Sequence, residues 1–344
     1  MTSKFIRPNV AAMAGYVPGE QPQDRRYIKL NTNENPYPPS PRVIEAVRAA
    51  AGDDLRLYPD PMANAVRDRA AQRYDLARDN ILVGNGSDEL LSLILRACIG
   101  PQDRVVYPCP TYSLYDTLVD IQEGEIVRVP YPSDFQLPSG LVEARGRVTI
   151  LCHPNSPSGM PVPIEKIETL ARSLEGLVVV DEAYVDFSAQ SALPLLRKLD
   201  NVLVLRTFSK SFSLAGMRIG LAFGAPPLIA ELLKVKDSYN VSRTSIAAAA
   251  AALDDYSWMT ENVARICRTR GRLIKELRAR AFSVLDSQTN FVLARRPGVS
   301  LEPLYRQLKE RGVLVRYFAT PELFDALRIS VGTDAEIDAL LAAL

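Results

Sequence analysis

A chain of 344 residues, 47% apolar, with 41 basic against 40 acidic side chains and a net charge of +1, can bury one large core and a smaller second one. Its interspersed charges leave no basic face for nucleic acid, and no apolar run reaches membrane-span length, the alanine block Ile246 to Leu253 being far too short. Cys98, Cys109, Cys152 and Cys267 form no C-x-x-C pair and no secretory h-region opens the chain, pointing to a reducing, cytoplasmic compartment; the single histidine, His153, removes His-based triads and most zinc sites, so no metal is expected.

Residues 1 to 30, with Tyr16-Val17-Pro18-Gly19 among many polar residues, read as an arm lying over another surface, neither strand nor helix. Leu30-Asn31-Thr32-Asn33-Glu34-Asn35-Pro36-Tyr37 is too polar and proline-bounded for a core strand, and composition alone makes it an Asn-rich turn. Ser40-Pro41 sets an N-cap and an N1 proline before a helix that runs through Ile44, Val47 and Ala51 and stops at Gly52. Leu57-Tyr58-Pro59-Asp60 follows. Ile81-Leu82-Val83, the turn Gly84 to Glu89 and the apolar-periodic run Leu90 to Ala97 read as strand, glycine turn and helix. Gly86 permits close backbone approach, and the amides of Ser87 and Asp88 open a helix whose positive end attracts phosphate. There is no Walker loop and no G-x-G-x-x-G, so nucleotide binding does not follow.

Val105-Val106-Tyr107 is a short strand closed by Pro108-Cys109-Pro110-Thr111-Tyr112, where Tyr112 either packs in the core or stacks on a flat heterocycle. Val148 to Cys152 is a buried strand of parallel type, ending in His153-Pro154-Asn155-Ser156-Pro157-Ser158-Gly159. Pro163 opens a crossover helix, Ile164 to Leu174, leading to Leu177-Val178-Val179-Val180 and then Asp181-Glu182-Ala183-Tyr184. A carboxylate after four apolar residues sits at the mouth of a sheet with little solvent and demands a cation, unless Asp181 only caps the following turn. Val202 to Leu205 is the next buried strand, so Lys210 falls just beyond a strand end, with hydroxyls around it and Arg218 eight residues on. A partly desolvated lysine there can lose its proton and form a Schiff base, and Thr207, Ser209 and Arg218 can hold a phosphate beside it. Motifs ending successive strands, with crossover helices between, argue a mostly parallel sheet and one crevice at its carboxyl edge.

Past Gly224, a helix Pro227 to Asp237 and an alanine-rich helix precede a smaller domain that begins in a long helix near Trp258 to Arg280. It continues with strands around Phe282-Leu285 and Asn290-Ala294, a helix near 301 to 311, Val313-Leu314-Val315-Arg316 and a last strand, Leu327 to Gly332. Arg328 in that strand demands a carboxylate partner, from the protein or from a ligand.

Ser209 to Gly220 resembles the S-K-x-F-x-L-A-G-x-R-x-G motif of the fold-type I pyridoxal phosphate (PLP) aminotransferases. Within them, Leu30 to Pro36 resembles the L-N-x-N-E-N-P signature of the histidinol-phosphate aminotransferases, and the likeness spans about Tyr16 to Gly332. The resemblance implies an α/β fold with a large domain, residues 36–250, built on a mostly parallel seven-stranded sheet flanked by helices. It adds a smaller α+β C-terminal domain, 251–344, and an N-terminal arm, 1–35, at the dimer contact. It implies that Lys210 carries PLP and moves a proton in ping-pong transamination, that Asp181 keeps the ring nitrogen protonated, that Asn155 and Tyr184 contact the ring hydroxyl, and that Tyr112 stacks on the ring. Gly86, Ser87, Asp88, Thr207, Ser209 and Arg218 would surround the cofactor phosphate, joined by Tyr58 of the neighbouring subunit in a homodimer with shared active sites. Arg328 resembles the clamp on the substrate carboxylate and Arg316 the contact to a substrate phosphate, with Tyr16 and Asn35 as further substrate contacts; His153 is read as structural. The implied substrates are histidinol phosphate and the glutamate/2-oxoglutarate pair of histidine biosynthesis. An aromatic amino-acid aminotransferase and a threonine-phosphate decarboxylase are the alternatives; Leu30 to Pro36 speaks against the decarboxylase, and the missing helix-turn-helix domain against a PLP-binding regulator.

Overall fold

The computed structural model describes residues 4–344. Seven strands form the central sheet in the spatial order Ile81–Gly84, Gly220–Phe223, Val202–Thr207, Leu177–Asp181, Val148–Cys152, Arg104–Cys109, Glu125–Pro130. All run parallel except Gly220–Phe223, which is antiparallel to both neighbours. The central strands read as continuous Val/Leu/Ile runs because helices cover both faces, and alternation then only divides the residues between the faces. Val178, Val180, Val202 and Val204 pack toward the helices Pro41–Ala50, Asn64–Tyr74, Ile164–Ser173 and Arg243–Asp254. Val179, Leu203 and Leu205 pack on the other side, toward Gly86–Cys98, Leu114–Ile121 and Pro226–Val235. Each fully buried side chain of this size contributes roughly 1.5–3 kcal/mol. Ser40 caps its helix as expected, its hydroxyl accepting from the amides of Arg42 and Val43, with Pro41 at the first position.

A second core gathers on a four-stranded antiparallel sheet ordered Arg316–Tyr317, Ala326–Ser330, Phe291–Arg295, Ser283–Val284. The helices Tyr256–Ala279, Glu302–Glu310 and Asp334–Ala343 pack on it through Ile266, Leu273, Leu308, Ile337 and Leu340. The arm departs from expectation. It contains a short helix, Pro8–Ala12, and a two-residue strand, Ile28–Lys29, paired in parallel with Val313–Leu314. Two residues carry no readable periodicity; this strand exists because a distant edge offers it hydrogen bonds, and Glu20 fastens the preceding segment to Lys309 and Tyr305.

The topology fixes the site. Parallel strands bring their carboxyl ends to one edge. The antiparallel strand starts at that same edge, with Gly220 opposite both Thr207 and Gly84, so Arg218 just before it arrives beside the turn at Gly86.

Candidate active site

At this edge lies a cavity of about 460 Å³, walled by the strand ends, the arm and the second sheet. Lys210 projects into it; its amine donates to the Thr32 carbonyl at 3.3 Å and lies 5.8 Å from the centre of the Tyr184 ring. Burial, reinforced by the Arg328 cation, holds that amine down at about 8. Asp181 is 3% exposed and forms no ion pair among the described residues. Burial pushes it up to about 6, against the opposing hydrogen bonds from Tyr115 and the Ala183 amide. Tyr184 shares the wall, its hydroxyl accepting from Asn33 Nδ2 at 3.0 Å.

One end of the cavity is built for an anion. Gly86 opens the helix Gly86–Cys98 at φ +80°, and an added Cβ there would come within 2.6 Å of the Arg218 guanidinium. Arg218 donates to Ser209 Oγ at 3.2 Å and pairs with Asp88 at 3.0 Å, with Thr207 and Ser87 alongside in the wall. A helix N-terminus, three hydroxyls and a guanidinium thus converge. Tyr112 stands between the two ends, its hydroxyl 3.3 Å from Asp88 and Tyr16 of the arm edge-on against its ring at 5.8 Å.

At the other end two cations face each other. Arg316 and Arg328 are direct partners on antiparallel strands, which places their side chains on one face. Neither forms an ion pair with a carboxylate among the described residues, though Arg316 is near enough to Glu20 to help hold that carboxyl low. Arg328 donates to Ser156 Oγ and the Asn31 carbonyl, both at 3.1 Å, and its Nε is buried without a partner. Arg316 holds the carbonyls of Val17 and Pro18 at 3.1 and 3.2 Å.

Two expected contacts, Asn35 and Asn155, do not line the cavity, and Tyr58, expected at a neighbouring subunit, and His153, read as structural, lie outside it too. Asn35 does not line the cavity: its amide donates to the carbonyls of Lys210 and Ser211 at 3.0 Å each and its Oδ1 takes the Tyr37 amide, so it pins the lysine loop from beneath. Asn155 lies behind the wall, donating to Ser158 Oγ at 3.0 Å and the Pro110 carbonyl at 3.3 Å while accepting from Thr111 at 2.9 Å. Tyr58 is exposed and stacks on Tyr239 at 4.3 Å, outside the cavity of its own chain. His153 is fully buried; its Nδ1 accepts from the Val162 amide at 3.0 Å and its Nε2 faces the Gln190 carbonyl at 3.2 Å, so it is a bracing residue, with burial pushing its pKa down. Sequence reasoning passed over Tyr115, whose hydroxyl reaches Asp181 at 2.7 Å, and Asn33; the spacing Tyr112-Ser113-Leu114-Tyr115 was the available signal for the first.

Residues 25–344 match the model of the class I and II aminotransferases, and the chain belongs to that family. It is 47% identical, over 99% of its length and 98% of the relative's, to histidinol-phosphate aminotransferase 1 of a Nostoc species. It is 46% identical to the histidinol-phosphate aminotransferase of Syntrophotalea carbinolica, over 98% of each chain. Among solved structures it is similar to the histidinol-phosphate aminotransferase of Sinorhizobium meliloti in complex with pyridoxal-5'-phosphate, with a TM-score of 0.92 and 30% identity, covering 100% of this chain and 97% of that one. The fold extends to an aspartate aminotransferase of Thermus thermophilus, with a TM-score of 0.83 at 20% identity, covering 99% of this chain and 100% of that one.

Proposed function

We propose that the protein is a histidinol-phosphate:2-oxoglutarate aminotransferase of histidine biosynthesis, using PLP and glutamate in a ping-pong cycle. The observation that carries the substrate reading is the opposed pair Arg316 and Arg328, two cations that form no ion pair among the described residues, beside the lysine of an aminotransferase cavity. Such a pair is costly until an anion arrives, and a phosphate monoester or a dicarboxylate supplies it. The names of the relatives at 46–47% identity support the same reading.

The cavity fits the cofactor. The cradle at Gly86 that a Cβ would fill, the helix N-terminus with Ser87, Thr207, Ser209 and Arg218, and a buried acid without a basic partner at Asp181 suit a phosphate, a flat ring and a protonated ring nitrogen respectively. Tyr112 would cover the ring, Tyr184 would meet the ring hydroxyl, and Asn155 supports the wall behind it. When bound, PLP supplies an electron sink conjugated to the carbon that bears the substrate amine.

The protein does the rest. Lys210, neutral above about pH 8, would take the proton from that carbon and, as the conjugate acid, deliver it to the cofactor's C4′, the transfer running the other way in the second half-cycle. Arg328 and Arg316 grip the anionic group, so the C–H bond is presented in one orientation. Tyr16 of the arm lies edge-on against Tyr112 and lines the cavity, so it would flank the bound ring and substrate. Tyr58, exposed beside exposed Leu55 and Leu57, supports a homodimer in which it reaches the neighbour's phosphate site. A cytoplasmic location is supported by four free cysteines; among the described residues no helix is long and apolar enough to cross a membrane.

The test supplies the PLP-loaded protein with 2-oxoglutarate and histidinol phosphate, phenylalanine or threonine phosphate, and measures glutamate and carbon dioxide. Glutamate formed at least tenfold faster from histidinol phosphate supports the proposal. Equal or faster turnover of phenylalanine makes it an aromatic aminotransferase, and carbon dioxide from threonine phosphate makes it a decarboxylase.

A further inference from the structure

Tyr115 has no part in the roles assigned so far, yet it is wholly buried against the least solvated acid of the site. We propose that Tyr115 is a positioning residue for Asp181, its hydroxyl holding the carboxylate ionised and aimed into the cavity where a protonated ring nitrogen is to be met. This rests on the reading of the cavity as a PLP site.

The geometry leaves the carboxylate few alternatives. Asp181 Oδ2 accepts from Tyr115 at 2.7 Å and Oδ1 from the Ala183 amide at 3.1 Å. The Tyr115 ring cannot swing away, because Tyr107 and Tyr112 box it edge-on at 5.7 and 5.6 Å. Tyr112 stands just before Ser113, the cap of the helix Leu114–Ile121, and Tyr115 is in its first turn, so one short segment aims both the aromatic face and the hydroxyl. The other titratable groups around Asp181 are Asp88 on the helix Gly86–Cys98, Glu182 and Tyr184 following it, and Cys152 on the neighbouring strand. Asp88 and Glu182 push Asp181 toward protonation, and none of the four is a cation. Tyr115 itself stays protonated, because burial and Asp181 hold its pKa far above the ordinary value. Tyr115 and the Ala183 amide are therefore the protein's own stabilisers of the ionised form. Deleting the hydroxyl moves the titration of Asp181 upward from about 6, into the range where the enzyme works. A neutral Asp181 no longer balances a positive ring nitrogen.

The experiment strips PLP from wild-type protein, Y115F, D181N and the double variant, and titrates each apoprotein with PLP between pH 6 and 9 by quenching of protein fluorescence. Y115F removes one buried oxygen and leaves the ring packing in place. In wild type the affinity should rise with pH through a lower midpoint near that of Asp181 and an upper one near 8 from Lys210, the upper one shared by all four proteins. In Y115F the lower midpoint should move up by about one unit, so that PLP binds about twofold more weakly near pH 7 and about fivefold more weakly at pH 6, converging on wild type by pH 9. D181N should bind weakly without this midpoint, and adding Y115F to it should cost nothing further. An unchanged lower midpoint in Y115F overturns the proposal. So does a uniform loss at every pH that adds fully to that of D181N, since that is the mark of packing alone. If wild type takes up no PLP, the cofactor reading fails first, which is a different result from a wild type that binds PLP normally beside an unaltered Y115F.

Discussion

Arg328 brings the fold little net stability. It is half-buried in the strand Ala326–Ser330, lies opposite Arg316, and has two neutral partners and one buried, unpaired Nε. Replacing it with methionine keeps an apolar side chain in the strand while removing the charge and the guanidinium's contacts with the Phe291 and Phe318 rings at 5.3 and 5.5 Å. Relief of the buried charge is worth on the order of 1–4 kcal/mol, and relief of the cross-strand repulsion about 0.5 kcal/mol. Against this, Ser156 and the Asn31 carbonyl each lose a hydrogen bond, about 1 kcal/mol apiece, and the two ring contacts of the guanidinium are lost at about 0.5 kcal/mol each. The terms nearly cancel, so the apoprotein's melting temperature should stay within about 2 °C of wild type. The same change removes a charge-assisted grip worth about 2–5 kcal/mol to an anionic substrate, so kcat/KM should fall by roughly 30- to 5000-fold. Scanning calorimetry on apo Arg328→Met and initial rates on the loaded enzyme measure both quantities. A melting temperature lowered by several degrees together with kcat/KM within threefold of wild type would refute the reasoning, because Arg328 would then be a structural cation.

The lysine amine near 8 predicts that kcat, which reports the complex in which that amine is free, rises with pH through about 8, and a kcat profile flat between pH 6 and 9 would show that Lys210 is not the base. The same depression has a stability counterpart: the folded state binds its proton less well than the unfolded one, so the contribution of Lys210 is present above the unfolded pKa near 10.4 and is lost as pH falls through about 8, which denaturant titrations at pH 7 and 10 on wild type and Lys210→Met can isolate. Gly220→Ala should cost about 2–4 kcal/mol in urea unfolding, because its Cβ would meet the backbone of Gly86 and Ser87 at 2.7 Å, where no side chain can yield; a loss below 0.5 kcal/mol contradicts that contact. His153→Ala should lose about 2–4 kcal/mol of stability through an unpaired Val162 amide and a cavity, with kcat on the folded enzyme within threefold of wild type; a hundredfold loss of kcat would make the histidine catalytic.

The sheet was legible because each buried strand is a short apolar run cut off by polar residues. Asp181 after Val178-Val179-Val180, and Lys210 beyond Val202 to Leu205, therefore announced their strand ends from local pattern alone. Gly86 and Ser40 were equally readable, since a turn at positive φ and a helix cap are decided within a few residues. What required the tertiary structure is everything set by register and by contacts between distant segments. That Arg316 and Arg328 stand directly opposite depends on how two strands slide past each other, and a one-residue slip would turn one of them to the far face. Asn35 reads as a ligand contact by its motif, yet the arm's path puts it under the lysine loop, where the backbone carbonyls claim its amide. The strand Ile28–Lys29 and the Tyr115 hydroxyl on Asp181 leave almost no local trace, because the groups that give them meaning lie far along the chain and meet only when the cores close.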